Sequence, residues 1–596
     1  MDSRPANDVL LGRSAPTVAS VVGDAHLGKP DFRKSAPVLS LFGNAVLTSN
    51  SGNNESGLRT TPDRHANPID AFLQPNELDA SKATSVYEAL LTLVPQDREL
   101  SILLNAGGGW WKSWRQMYPD ICSSGENPTL QEYIWYAVGQ RNPVVIGNAL
   151  LCLAISLQHL PTDFDYSHLG FLNVGRATIQ QYVSTVDRFV FSEDDFMSSL
   201  EGIETVLLQS KLYINSGQAR KAWLLIRRGF SYAELVGLAD DTRSSRADLH
   251  ASSNRRDSAL WHLIEVDRQL SLILGLPITV THTSPGLNTG IEPQTSSITS
   301  VEYRRRLFTI AGSIIDRNSH DSTPSLLTTI EQDHALDGLA KSMPDKWWDL
   351  SSLQSHTPDM GDICDRLFTQ FWHHQIKSSL HLPFMLRSAT NPQYHNNRIA
   401  CFTSSREMLR IFHILRGCAC TRFIHYCQVM DFQAFTAAVI LILGLLGYQP
   451  ASQKHDFDEQ VDDWHLIDLA VEDLRKAASE SDNSVARQSL RSLETIQHAR
   501  HGPLSESSKK NYSTKIVVPY FGTIFIAPGE RYSRTEMTQE MSPHFNNEAF
   551  IGFNNFTPFS LNDYSMESIG LSDFDSLLWP PKSYTDLDQE WWGLER

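Results

Sequence analysis

Cysteine is sparse in this chain and absent ahead of Cys122. The seven present (Cys122, Cys152, Cys364, Cys401, Cys418, Cys420 and Cys427) are too scattered for a disulfide scaffold. Most stand in apolar helical surroundings, as reduced core thiols do. Clustered positive charge is missing too. The net charge is -17, and the longest basic cluster is Arg304 to Arg306 in "EYRRRLF". Such a balance excludes wrapping nucleic acid through bulk electrostatics, and the triplet reads as a helix face. The most apolar stretch, "AFTAAVILILGLLGY" (Ala434 to Tyr448), falls short of the roughly 20 residues of a membrane span and reads as a buried helix. "MDSRPANDVLLGRSAPTVAS" lacks the charged and apolar regions of a secretory signal. The expectation is an intracellular, reducing compartment and no membrane, in which sequons such as Asn555 to Thr557 carry no meaning.

Hydrophobic residues make up 41% of the 596, enough for a large core, and the length allows up to about four domains. Residues 1 to 78 are rich in Ser, Asn, Gly and Pro; "TSNSGNNESGLRTTPDRHANP" has no periodicity and should be disordered. From "DASKATSVYEALLTLV" onward, apolar residues recur at helical spacing, in segments such as "VVIGNALLCLAISLQHL" and "FTQFWHHQIKSSLHLPFMLRS". Turn signals, "SSGENP" among them, separate the segments, and no fixed-period repeat suggests a solenoid. The clearest extended run is late, "KIVVPYFGTIFI" (Lys515 to Ile526). The fold class expected is all-α: a large irregular multi-helix domain over 79–530, flanked by disordered N- and C-terminal tails. The tail 531–596 interleaves Phe553, Phe556, Trp579, Trp591 and Trp592 with acids and nearly lacks Lys and Arg, the composition of an activation-type tail. A segment packing back on the domain fits that composition equally well.

The signatures of catalysis are missing. "GDAHLGKP" (Gly23 to Pro30) begins like a phosphate loop, but Pro30 stands where a hydroxyl should hold magnesium. There is no G-x-S-x-G elbow, H-E-x-x-H pair or G-x-G-x-x-G turn. The densest metal candidate holds His413, Cys418, Cys420, His425 and Cys427. On one helix these split into two stripes, with neighbours in each stripe about 10 Å apart, too far for one zinc. Convergence would need a break at Gly417; core thiols and a hydrogen-bonded histidine are the simpler account. His373 and His374 fall on different helix faces. The acid pairs Asp194–Asp195, Asp240–Asp241 and Asp462–Asp463 lack the facing partners of a magnesium–diphosphate site. "WWKSW" and "FWHH" offer aromatic lining, which at helical spacing is usually core. No catalytic residue, cofactor or metal is expected.

One carboxylate breaks an otherwise ordinary pattern. On the helix of "WHLIEVDRQLSLILGLPITV", Leu260, Leu263, Ile264, Leu270 and Leu274 share one side, and His262, Glu265 and Gln269 the other. Asp267 falls near the middle of the apolar side. Buried alone it would be costly, so an arginine partner is expected from Arg227, Arg228, Arg255, Arg256 or the adjacent Arg268, forming a structural ion pair between helices. Gly275 and Pro277 terminate the helix: glycine accepts the left-handed cap, and proline cannot continue.

"ARKAWLLIRRGFSYAELVGLADD" followed by "RRDSALWHLIEVDRQLSLILGLPITV" resembles the middle homology region of fungal zinc-cluster transcription factors, their fungal-specific regulatory domain. The motif falls on Trp261, Asp267, Arg268, Ser271, Gly275 and Pro277. "SSLHLPFMLRS" resembles a second family segment, carried by His381, Pro383 and Phe384, and "KIVVPYFGTIFIAPG" a third. The likeness spans about residues 80 to 530. It implies a nuclear, non-enzymatic transcription regulator whose partners are other regulators or the transcription machinery, with homo- or heterodimers included. The six-cysteine cluster with which family members usually begin has no counterpart here, so DNA contact is expected only indirectly: a co-regulator, or a truncated gene model. An all-helical metabolic enzyme and a small-molecule-sensing binding module are the alternative readings.

Overall fold

In a computed structural model the described residues lie within 77–526, less 123–127, 162, 171–174, 239–249, 281–297, 321–323, 351–359, 386, 389–390, 418–426, 446–456, 481–482, 502–513 and 519–521. All belong to one of two units into which the chain divides, Glu55–Arg596; the other, Met1–Asn54, lies outside the described residues. So do the expected tails, 531–596 entirely and 1–78 except for residues 77 and 78, which open the first helix, together with Gly23 to Pro30, Asp240 and Asp241, and Cys418, Cys420 and His425.

The described elements are helices, closed by one hairpin. In chain order they run α1 (Glu77–Leu91), α2 (Asp97–Gly107), α3 (Trp110–Met117), α4 (Leu130–Gly139), α5 (Pro143–Gln158), α6 (Gly175–Val186), α7 (Asp194–Met197), α8 (Leu200–Asn215) and α9 (Ala219–Leu235). They continue as α10 (His250–Leu274), α11 (Ser300–His320), α12 (Leu326–Ala340), α13 (Asp345–Trp348), α14 (Met360–Met385), α15 (His395–Gly417), α16 (Gln428–Leu445), α17 (Phe457–Glu480) and α18 (Ser484–His501). Strands β1 (Thr514–Val518) and β2 (Gly522–Ile526) pair antiparallel, Thr514 opposite Ile526 and Val518 opposite Gly522. The late extended run is thus a hairpin appended to an all-α body.

Local sequence sets the boundaries. Thr129 and Glu132 form a reciprocal capping box at the start of α4. Asn142 caps α5 with Pro143 in its first turn, and Ser199 caps α8. Gly237 (φ 66°) and Gly275 (φ 68°) end α9 and α10 in the left-handed conformation. The following amides close back five residues, Leu238 N–H to the Ala233 carbonyl and Leu276 N–H to that of Ser271, so both ends are Schellman caps.

The main core joins α5 and α8, both almost wholly buried, to α10, α15 and α16. A smaller core joins α11, α12 and α14 around Tyr303, Phe308, Leu336, Ile376 and Leu380. Helix α16 is apolar enough by composition to cross a bilayer, yet most of its residues are buried inside the protein. Gly107 sets the approach of α2 to α5: a Cβ there would stand 2.2 Å from the Ser156 carbonyl oxygen. Because backbone cannot yield as a side chain can, Gly107→Ala is expected to destabilise by about 1–3 kcal/mol. Chemical denaturation measures this, and an unchanged midpoint would refute the close-packing account.

Candidate functional site

The family-motif residues come together at the end of α10, and their partners are structural. Asp267 is 2% exposed. Its Oδ2 accepts the Thr279 amide at 2.8 Å and its Oδ1 the Thr279 hydroxyl at 3.0 Å; Arg227 Nε lies 3.6 Å from Oδ1. Burial raises the Asp267 pKa, against the pull of the Thr279 amide and Arg227. The principal contact is therefore the returning chain after the helix, which holds the carboxylate in two hydrogen bonds; of the five arginines only Arg227 stands at ion-pair distance. Arg268 points instead to the Phe308 carbonyl (2.6 Å), and its pKa is lowered to about 10 by burial. Arg255 grips Glu204 through two hydrogen bonds, Arg256 bonds the Val236 and Gly237 carbonyls at the cap of α9, and Arg228 meets Tyr232 and the Phe191 carbonyl. Ser271 accepts from Trp223 Nε1 and donates to the Pro277 carbonyl, which Arg227 also bonds. The Arg305 guanidinium lies over the Trp261 ring.

Replacing Asp267 by alanine leaves the Thr279 amide without its acceptor, whereas Arg227, at 27% side-chain exposure, can turn to water. A loss of about 1–3 kcal/mol is expected in urea titration. A loss near zero would mean that the returning loop is held by something else.

The second motif sits on α14. His381 Nε2 lies 3.1 Å from Asp333 Oδ1 and Nδ1 3.1 Å from Asn397; Pro383 falls inside the helix, and the Phe384 ring packs on Tyr394. Lys377 Nζ also reaches Asp333, at 3.0 Å. Burial would raise the Asp333 pKa, but His381 and Lys377 together draw it down from 3.8 to about 2. A depressed carboxylate stabilises the fold above its ordinary pKa and loses that contribution as pH falls through the lowered one. Asp333→Asn should therefore cost stability at neutral pH and progressively less between about pH 4 and 2; a difference constant with pH would disprove the coupling.

The other sequence candidates are absorbed into the architecture. Arg406 holds Asp463 with two bonds, Asp194 accepts from Tyr232, and His413 faces Asp473. His373 and His374 are kept neutral by burial. Among the described residues no group of His, Cys, Asp and Glu could hold a metal ion.

Sequence reasoning missed the interior of the polar stripe on α10. From Trp261 to Leu274, helix α10 is enclosed on both sides, and His262 (4% exposed) and Glu265 (8%) face a chamber rather than solvent. Its volume is about 140 Å³. Trp110 and Trp114 of α3, with Tyr118 just beyond, form one wall; Lys211 of α8, Arg304 of α11, Trp372 of α14 and Gln433 of α16 complete it. The His262 ring stacks on Tyr118, centroids 3.6 Å apart and planes within 10°. Glu265 Oε1 accepts from Tyr118 (3.1 Å) and Gln269 (3.3 Å), and Arg304 Nε lies 3.8 Å away. Arg304 is also ion-paired with Asp365 and bonds the Met117 carbonyl.

Lys211 differs from these. It is half-buried, and its ammonium lies 5.8 Å and 5.6 Å from the Trp110 and Trp114 ring centroids. Among the described residues no carboxylate stands within ion-pair distance of it. The surrounding helices replace much of its hydration, and desolvation lowers its pKa. Ring contacts return about 0.5–2 kcal/mol, against the several kcal/mol that removing an ammonium from water costs. Trp114 Nε1, His262 Nδ1 and both amide atoms of Gln433 are buried without hydrogen-bond partners. The signals for this site were "WWKSW" and the polar stripe, but only a fold that places α3, α8, α10 and α16 around one space joins them.

No family model matches the chain. It is similar to curated fungal transcription regulators. A dehydrocurvularin biosynthesis regulator of Aspergillus terreus is 29% identical over 448 residues, 70% of this chain and 61% of that protein. The transcription factor sdnS of Sordaria araneosa is 28% identical over 484 residues, 76% of this chain and 61% of that protein. The transcription factor eupR of a Phoma species is 31% identical over 256 residues, 41% and 54% of the two chains. The chain thus spans about three fifths of the length of the first two. Motif resemblance and relatives agree on one class, fungal transcription regulators; none of these relatives is named as an enzyme.

Proposed function

We propose that this chain is the regulatory part of a fungal transcription regulator that controls a set of biosynthetic genes, and that it does so by binding other proteins rather than by catalysis. Similarity over 70% and 76% of the chain to two proteins named as regulators is the observation that carries this reading. The fate of the charged residues supports it: Asp267, Glu204, Asp365, Asp431 and Asp463 are spent on holding helices together. Residues 79–530 form the regulatory domain, and the family-motif residues Trp261, Asp267, Arg268, Ser271, Gly275, Pro277, His381, Pro383 and Phe384 serve its architecture. Residues 531–596 contact the transcription machinery in the nucleus. The test is a reporter assay with the full chain tethered to a heterologous DNA-binding domain. Reporter output should change at least several-fold and fall back when 531–596 are removed; unchanged output in a fungal host would overturn the reading.

A further inference from the structure

We infer that the chamber between α3, α8, α10 and α16 is a binding site for a small aromatic anion, a single-ring arene carboxylate, with Lys211 as its counter-ion. Three features carry this. The first is charge. The chamber lining holds two cations, Lys211 and Arg304, and one carboxylate, Glu265. Arg304 is matched to Asp365 and Glu265, so the unmatched charge is the Lys211 ammonium. An anion in the chamber supplies what no described side chain does. The second is shape and surface. About 140 Å³ is the scale of a cavity that takes up one benzene ring, and the flat faces of Trp110, Trp114 and the stacked Tyr118–His262 pair suit an aromatic ring better than an aliphatic chain. The third is the set of unpaired polar atoms. Trp114 Nε1 can donate to a carboxylate, and the Gln433 amide, unpaired at both atoms, can meet a ring hydroxyl. Other unpaired buried polar atoms are spread through the described residues; those of Trp114, His262 and Gln433 line the same space as the unmatched cation.

Such a site would give the protein sensitivity to a metabolite. Occupancy bridges α3 to α8, α10 and α16, so a ligand would tighten the centre of the fold without touching the motif at the end of α10.

The test is calorimetric titration of the purified full chain with three probes of similar size: 2-hydroxybenzoate, its neutral amide and cyclohexanecarboxylate. The aromatic acid should bind at least tenfold more tightly than either comparison compound. In Lys211→Met the acid and the amide should bind alike, and Lys211→Arg should keep the preference for the acid. Equal binding of acid and amide by the native chain, an acid preference that survives Lys211→Met, or no binding of any probe at millimolar concentration would each overturn the proposal. The native-chain comparison needs no variant, so it decides even if a substitution impairs folding. A negative result leaves the transcriptional reading standing, since the tethered reporter assay does not depend on any ligand.

Discussion

Asp431→Ala is expected to destabilise the protein by about 3–5 kcal/mol, among the largest losses available to a single substitution here. Asp431 is wholly buried on α16. One carboxylate oxygen pairs with Arg416 at the end of α15, and the other accepts from Asn483 at 2.6 Å. Asn483 in turn caps α18 through the Ala486 amide. Three helices meet at one carboxylate, and its removal takes the Asp431 ion pair from a guanidinium that is only 4% exposed at the side chain. The loss comes from that weakened compensation of a buried charge rather than from the pair's net worth. Burial raises the Asp431 pKa despite Arg416 and Asn483. A carboxyl whose folded pKa lies above its unfolded one is most favourable when protonated, so this pair is no source of stability gained with rising pH. The double variant Arg416→Met with Asp431→Leu should accordingly recover most of the loss. Urea denaturation of the single and double variants decides: additive losses would show that Arg416 and Asp431 act independently and would refute the coupled-charge account.

The second large effect concerns the triplet Arg304 to Arg306, whose three members should behave quite differently. Arg304→Met is expected to cost about 3–5 kcal/mol. It leaves Asp365, at 5% side-chain exposure, without its guanidinium, and it releases the Met117 carbonyl at the end of α3. Arg305→Met removes a pair with Asp257, whose side chain is 49% exposed, and should cost less than about 1 kcal/mol. Arg306 pairs with Glu302 one turn earlier on the same helix and belongs with Arg305. Similar losses at 304 and 305 would contradict the burial argument. The three variants need only one denaturation series.

That contrast marks how far the sequence could be read. The helical block, the buried apolar helix near Ala434 and the late extended run follow from periodicity and composition, and each is present at the expected place. The helix stop at Gly275 and Pro277 was legible because glycine in the left-handed cap leaves a local signal. Arg304 could not be told from its neighbours, since its carboxylate lies on α14, 61 residues away. The same limit hid the chamber. An amphipathic pattern assigns its polar stripe to water, and that assumption fails for α10, where both stripes face protein. Lys211, in "LLQSKLYIN", gave no sign of its tryptophan neighbours, which come from a helix about a hundred residues earlier. Asp267 does meet an expected arginine, Arg227, at ion-pair distance, but the hydrogen bonds it accepts come from Thr279, because a carboxylate buried beside a helix end finds the returning backbone first.

The enclosure of α16 also bears on how the chain is made. During synthesis Gln428–Leu445 leaves the ribosome as an apolar stretch whose cover is partly unmade, because α17 and α18, which pack on it, are encoded downstream. About 56 residues separate Leu445 from His501, a wait of roughly 3–11 s at ~5–20 residues per second. For that interval the nascent chain displays a segment with the composition of a membrane span. A chaperone that shields it until His501 has emerged would set the yield of folded protein, and slowing translation would raise the demand for that chaperone.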